Sequence, residues 1–287
     1  MSPLFPWFGE ALTLCRVYDG PVPESGRKGS FVPSHFTVWH LREGGFRIEL
    51  NRKTIRLKAP LWVLMSPVPR RQTALPGTRM TSIHFQIDAG VLARLGWPQI
   101  LCHEDKVGAL AQDAGALIEA MNRTRLGASL AYLPAIQVGL EEFLEVQGAF
   151  MKFLGGFLGV LAPQLQGLKG KDIDPRLESV RHDIATLPLD ITPDLDAIAA
   201  RHGLSLRQLN RLHTHAFSRT CNEYRDQLRA ESARIGLANP SLTIKQVALS
   251  LGFADPAFFS NWFLRHELCR PREFRQRLME SLPDRKA

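Results

Sequence analysis

Two stretches of this 287-residue chain repeat each other 49 positions apart, and the repeat leaves its C-terminal third few folds to choose from. LDAIAARHGLSLRQL begins at Leu195 and IKQVALSLGFADPAF begins at Ile244. At that offset Leu195 matches Ile244, Ile198 matches Val247 and Ala199 matches Ala248; Gly203 then matches Gly252, Leu204 matches Phe253 and Leu209 matches Phe258. Each copy reads as an apolar helix with a small residue inside, then a Gly suited to a left-handed turn. A second helix follows, starting near Ser205 or Asp255, side chains able to accept from free backbone N–H groups. This is the pattern of a helix-turn-helix made twice. The Ala lets the two helices cross closely, and the outer face of the second helix is left for a DNA groove.

The remainder of the chain follows a different rhythm. Between residues 30 and 90, short apolar runs (FTVWHL, FRIELN, IRLK, LWVLMSP, TSIHFQI) are broken by turn residues. Phe46, Ile48 and Leu50 alternate with Arg47, Glu49 and Asn51, which predicts a half-buried strand; Thr54 to Leu57 supplies a hairpin partner after a bend at Arg52-Lys53. Leu61 to Met65 reads as a more fully buried strand stopped by Pro67 and Pro69. Such spacing predicts a sandwich or a small barrel. Beyond residue 105 the period becomes helical. Ala109, Ala116, Leu117 and Ala120 mark one helix; Leu140, Phe143, Leu144 and Gln147 mark a second, from Gln137 to about Leu161, apolar and interrupted by Gly148, Gly155, Gly156 and Gly159. Close approach to another helix, in this chain or in a second subunit, is one reason for those glycines. The polar, Gly-containing stretch 166–174 reads as the linker between an N-terminal domain, 1–165, and an all-α domain, 175–287.

Composition narrows the function. The chain is 45% hydrophobic and 22% charged, which fits a globular protein with a core. Its 36 Lys and Arg outnumber 28 Asp and Glu, favouring a polyanionic partner. From Arg176 onward the count is 17 against 13, so charge does not single out the helical half; the repeat does. Cysteines at 15, 102, 221 and 269 match no disulfide framework or zinc spacing. The start MSPLFPWFGE lacks a basic region followed by an apolar one, and Phe153 to Ala162 is about half a membrane span, so a cytoplasmic protein without a membrane partner is expected.

The stretch from Leu195 to Arg275 resembles the paired helix-turn-helix domain of the AraC/XylS transcription regulators. The first half shows Ser205, Arg207, Leu209 and Arg211, then Tyr224, Leu228, Ala233 and Arg234; the second closes on FADPAFFSNWFLRHELCRPREFR. The family usually has an aromatic where His213 stands, Gly at Ser218 and Leu268, and a basic residue at Asn261. On the first recognition helix, Leu206 to His213, the resemblance and the side-chain chemistry agree on Arg207, Asn210 and Arg211: Arg can pair with guanine and Asn with adenine. The second helix offers Ala257, Ser260 and Asn261, with less reach. Arg265, Arg270, Arg272, Arg275 and Arg277 are phosphate candidates, Arg275 being as well explained by pairing within the domain.

The resemblance also implies a double-stranded DNA partner, a homodimer and a contact with RNA polymerase. It implies an α+β chain whose N-terminal domain is a cupin-like β-barrel with trailing helices, binding a small organic effector. Trp39, His40, Trp62 and His84 are the pocket candidates, apolar walls with a few polar points. His35, His40 and His84 are too widely spaced for a metal site, and no cofactor is expected. Arg70-Arg71 and Gln72 occupy the turn where a cupin ligand would be sought. The basic residues from Arg42 to Arg79, opposed only by Glu43 and Glu49, read as a mostly solvated face. No nucleophile, base and acid combine, so an enzyme is the least favoured alternative. A regulator whose N-terminal domain only oligomerises or contacts protein is the nearer one.

Overall fold

The computed structural model describes residues 12–31, 33, 35–87, 98–105, 108–124, 127–128, 132–136, 138–165, 173–217, 219–267 and 269–281, the side chains of residues 277 and 279–281 excepted. Its strands are β1 (Leu12–Pro21), β2 (Lys28–Phe31), β3 (Phe36–Glu43), β4 (Gly45–Leu50), β5 (Lys53–Lys58), β6 (Leu61–Met65), β7 (Arg70–Ala74), β8 (Arg79–Ile87) and β9 (Ile100–His103). They form two antiparallel sheets, ordered β1-β8-β3-β6-β9 and β2-β7-β4-β5. The hairpin expected around Arg52 is there: β4 and β5 pair from Gly45↔Lys58 to Leu50↔Lys53, and the two residues of the loop, Asn51 and Arg52, both take positive φ. That is the backbone a two-residue turn needs to match strand twist.

The expected cupin-like barrel does not form. A barrel closes only if its last strand bonds to its first, whereas here β9 pairs with β6 alone and β5 with β4 alone among the described residues. The two sheets remain open and pack face to face. Trp39, Leu41, Val63, Met65 and Met80 of the larger sheet meet Phe46, Ile48, Leu50 and Leu57 of the smaller one.

The outer face of the larger sheet is buried as well. Helices α2 (Ala109–Arg123) and α3 (Leu140–Leu165) lie across it; a single helical turn, α1 (Glu24–Arg27), precedes them in the chain. Leu14, Val38, Trp62, Leu64, Ile83 and Phe85 pack there against Leu117, Met121, Phe150, Phe153, Phe157 and Leu161. A sheet covered on both faces explains why β3 and β6 read as near-continuous apolar runs. By length and composition α3 could cross a membrane; it turns Phe150, Phe153, Leu154, Phe157 and Leu161 to the sheet instead. Its sequence markers Leu140, Phe143 and Leu144 lie in its first turns and are exposed. Of the four helix glycines only Gly156 has a neighbour that an added Cβ would meet, Asp113 Oδ2 of α2 at 3.0 Å.

Most of the expected linker, residues 166–172, lies outside the described residues. The helical part follows as α4 (Arg176–Thr186), α5 (Leu195–Arg201), α6 (Leu206–Phe217), α7 (Cys221–Ala238), α8 (Ile244–Ser250), α9 (Pro256–Glu267) and α10 (Pro271–Ser281). Helix α7, about 27 Å at 1.5 Å per residue, joins two small cores. Cys221 and Tyr224 near its start pack with α4 to α6, while Ala230, Ala233 and Leu237 pack with α8 to α10.

Candidate nucleic-acid interface and interdomain cavity

Each half of the repeat is closed by local hydrogen bonds. Asp194 Oδ1 accepts from Ala197 N at the start of α5, and Thr243 forms a capping box with Gln246 at the start of α8. At the turns, Leu204 N donates to Ala199 O at 2.9 Å and Phe253 N to Ala248 O at 3.0 Å, with Gly203 at φ +65° and Gly252 at φ +82°. These are helix stops built on a left-handed residue. Ser205 then caps α6 by accepting from Gln208 N, and Asp255 caps α9 by accepting from Ala257 N at 2.7 Å.

The caps expose a slip in the repeat. The first helices and turns correspond at an offset of 49, but Ser205 corresponds to Asp255, an offset of 50, because Ala254 is an extra turn residue. Leu209 is therefore answered by buried Phe259, not by Phe258, which is 70% exposed. At the corrected offset Arg207, Asn210 and Arg211 face the same way as Ala257, Ser260 and Asn261.

Arg207, Arg211, Ala257, Asn261, Arg265 and Arg272 are exposed, while Asn210 and Ser260 are half-buried. The Ser260 hydroxyl donates to Pro256 O at 2.8 Å, which ties it to its own helix. Beneath this face Leu209, Phe259 and Phe263 are fully buried, and Trp262 nearly so. Phe258, which the ungapped repeat matched to the core residue Leu209, stands beside Ala257 and Asn261 on the outer face. Arg275 is half-buried and its Nε donates to Leu237 O at 3.0 Å, the role within the domain rather than a free phosphate contact. Arg270 is exposed; the side chain of Arg277 and the positions Ser218 and Leu268 lie outside the described residues.

His213 takes the place where an aromatic was expected. It is fully buried, its ring lies 4.7 Å from that of Phe217, and its Nδ1 donates to Arg219 O at 2.6 Å. Burial pushes its pKa down to about 4. Such a group is neutral in the fold and takes up a proton first in the unfolded chain. Its contribution is present above its ordinary value near 6.5 and is lost as pH falls toward 4, by about 3 kcal/mol. His213→Phe should flatten the fall in melting temperature between pH 6.5 and 4.5. An unchanged acid-side slope would contradict this assignment.

Of the four pocket candidates, two meet and two do not. Trp39 and His84 line a cavity of about 190 Å³ between the sandwich and the end of the second helix-turn-helix, whose wall includes Glu267, Phe274 and Leu278. His40 instead stacks on Trp62 at 4.2 Å, on the helix-covered face of the sheet. Neighbouring strand residues point to opposite faces, so Trp39 and His40 cannot share one site. The sequence reading missed the cavity's arginines, Arg16 and Arg70. Its signal was the strand alternation, which buries Arg70 and Gln72 and exposes Arg71.

The two parts of the chain are also pinned directly. Arg234 of α7 is 1% exposed; its Nε meets Glu267 Oε1 at 2.8 Å and its Nη1 donates to Tyr132 Oη at 3.3 Å. Arg219 Nη2 donates to Pro67 O at 2.6 Å.

Comparison with known proteins agrees with the geometry. Residues 198–277 match the family model of a helix-turn-helix domain. Over 81 residues the chain is 40% identical to the HTH-type transcriptional activator RhaS of Escherichia fergusonii, a match covering 28% of this chain and 29% of that protein. Over 88 residues it is 33% identical to RhaR of Cronobacter sakazakii, covering 31% of each. The chain thus matches under a third of the length of these curated relatives. Its C-terminal domain is a helix-turn-helix domain built of two such units, similar to the matched parts of these two proteins. The fold as a whole is like that of ToxT from Vibrio cholerae: an apo variant superposes with a TM-score of 0.60 at 14% identity, over 94% of this chain and 98% of that one. ToxT bound to an unsaturated fatty acid gives 0.58 at 14%, over 96% and 99%. At that identity the likeness is one of fold.

Proposed function

We propose that this protein is a sequence-specific DNA-binding transcriptional regulator, divided into an N-terminal sensing and dimerisation domain (1–165), a linker (166–174) and a DNA-binding domain (175–287). The observation that carries the reading is the outward face of α6, where Arg207 and Arg211 stand one turn apart, exposed and without a hydrogen bond or ion pair among the described residues. Both can donate in pairs to guanine, with Asn210 beside them for adenine. Helix α9 brings Ala257, Asn261 and the exposed Phe258 to the groove, with Ser260 behind them. Arg265 and Arg272 serve phosphates, so the second half positions more than it discriminates. The length of α7 suits two recognition helices placed about one DNA turn apart on one face of the duplex. The relatives named as transcriptional activators favour this reading over an enzyme. A binding selection from genomic fragments tests it: an enriched motif is expected, and uniformly weak binding to every duplex would overturn it.

The N-terminal domain senses a small organic effector. This is supported by the cavity at Trp39 and His84, whose far wall belongs to the DNA-binding domain, and by the shared fold with a protein solved with a fatty acid bound. Dimerisation uses α3. Leu144 and Met151 are more than half exposed, and Gly148, Gly155 and Gly159, open to solvent, lie along the same side and allow a second copy close, with exposed Leu140 at the edge of that strip. Leu144→Glu should convert a dimer to a monomer in light scattering; a wild type that is already monomeric, with and without DNA, would refute the dimer. RNA polymerase is the further partner, and the cytoplasm the place of action.

A further inference from the structure

We infer that Phe258 reads a thymine: its exposed ring meets the C5-methyl group in the major groove, so that the second recognition helix selects one base pair by apolar contact. The inference rests on the DNA-binding reading and names the base that this part of the interface takes.

Phe258 is 70% exposed, more than any other large apolar side chain described between residues 173 and 281. Its neighbours Phe259, Trp262 and Phe263 go to the core, in ring contact with one another and with Phe253 and Phe274. The Phe258 ring meets no aromatic or cationic partner among the described residues. It has no part in the cap either. At the offset of 50 it answers to Gln208, whose Oε1 accepts from Ser205 N at 2.9 Å and closes the start of α6. In α9 the cap is Asp255, which accepts from Ala257 N, and position 258 is left to an outward aromatic.

The groove offers such a ring one kind of partner. Base edges there are hydrogen-bonding groups except for the thymine methyl, which an apolar side chain covers and an arginine does not. The first six residues of α9, Pro256 to Asn261, contain no arginine. Phe258 and Asn261 are three positions apart, which puts their Cβ atoms about 5–6 Å from each other on one side of the helix. Base pairs rise by about 3.4 Å, so the two side chains reach the same pair or adjacent ones. Asn pairs with adenine and thymine is adenine's partner, so one A·T pair, or two in succession, serves both residues. A G·C pair in that place presents no methyl.

The test replaces the thymines in the second half of the selected duplex, one at a time, with deoxyuridine. That change removes the methyl and keeps the base pair and its hydrogen-bonding groups. One replacement should weaken binding of the full chain about fourfold, the loss expected for one buried carbon. It should fall within two base pairs of the adenine whose preference Asn261→Ala relaxes. Phe258→Ala should bind the thymine and uracil duplexes equally, while uracils in the first half should affect it and the wild type alike. A side chain with a merely structural role would lower affinity without erasing the difference between thymine and uracil. No uracil effect anywhere in the second half, or an effect that Phe258→Ala retains, would overturn the proposal. So would a Phe258→Ala variant that binds every duplex as the wild type does, which would leave the ring to a protein partner. If the genomic selection yields no motif, the regulatory reading falls and takes this proposal with it; a motif without a uracil effect removes only the Phe258 assignment.

Discussion

Replacing Gly252 with alanine should destabilise the helical part by about 3 kcal/mol or more, whereas the same change at Gly203 should cost only about 1–2 kcal/mol. Both glycines hold the turn of a helix-turn-helix at positive φ, so both substitutions carry the left-handed penalty. The difference lies in what the new methyl meets. At Gly203 the nearest atom is Arg176 Nη1 at 4.0 Å, the end of a flexible side chain. At Gly252 it is the backbone of Asp190, with O at 2.7 Å and Cα at 2.8 Å. That backbone cannot easily retreat, because the buried Arg225 of α7 clamps its segment. The guanidinium donates to Ile184 O and Leu187 O at 2.9 Å, to Ile191 O at 3.1 Å and to Pro188 O. Urea unfolding of the two variants measures the contrast; equal losses would show that Asp190 moves freely.

Arg234→Met should cost about 3–5 kcal/mol, the usual loss when one partner of a buried ion pair is removed. Glu267 would be left buried against cavity walls, and the Tyr132 hydroxyl would lose its donor. Because Arg234 ties α7 to the end of α9 and to the N-terminal part, the loss should fall on the second helix-turn-helix and on its seat against the sandwich. Hydrogen exchange should therefore rise across residues 244–267 more than across 195–217. The double variant Arg234→Met/Glu267→Leu should recover part of the stability, since an apolar pair of similar volume often replaces a buried ion pair at little cost. A double variant less stable than Arg234→Met alone would mean that Glu267 has a separate role.

The helical half was largely legible in the sequence because its determinants are local. Caps at Ser205 and Asp255, glycines at the turns and apolar spacing all act within a few residues. The slip at Ala254 escaped an ungapped comparison, since Phe258 and Phe259 are equally apolar and only burial tells them apart. The N-terminal half was less legible because its architecture rests on distant pairing. Alternation finds the strands, but whether β9 and β5 find further partners decides between barrel and sandwich, and no local pattern encodes that. Which part of α3 reaches the core was hidden for a related reason. Leu140, Phe143 and Leu144 in its first turns are as apolar as the Phe150, Phe153 and Phe157 further along, and only the sheet beneath the later turns buries one set and not the other. Arg70 was read with its basic neighbours as solvated, although its own alternation with Arg71 placed it inside. Arg234 lies on a helix whose sequence looks water-facing, and only its distant contacts with Tyr132 and Glu267 explain its burial.

The central claim is that α6 reads bases, and one titration tests it most directly. Wild type, Arg207→Ala, Arg211→Ala and Arg272→Ala, each checked for folding, are measured against the selected duplex and a scrambled one at two or more salt concentrations. The two α6 variants should lose about 1–3 kcal/mol on the selected duplex, change little on the scrambled one, and relax preference at a particular base pair. Arg272→Ala should weaken both duplexes alike and lower the salt dependence. If Arg207→Ala and Arg211→Ala weaken selected and scrambled DNA by the same factor, those arginines hold phosphate or structure, and base reading by the first recognition helix is wrong.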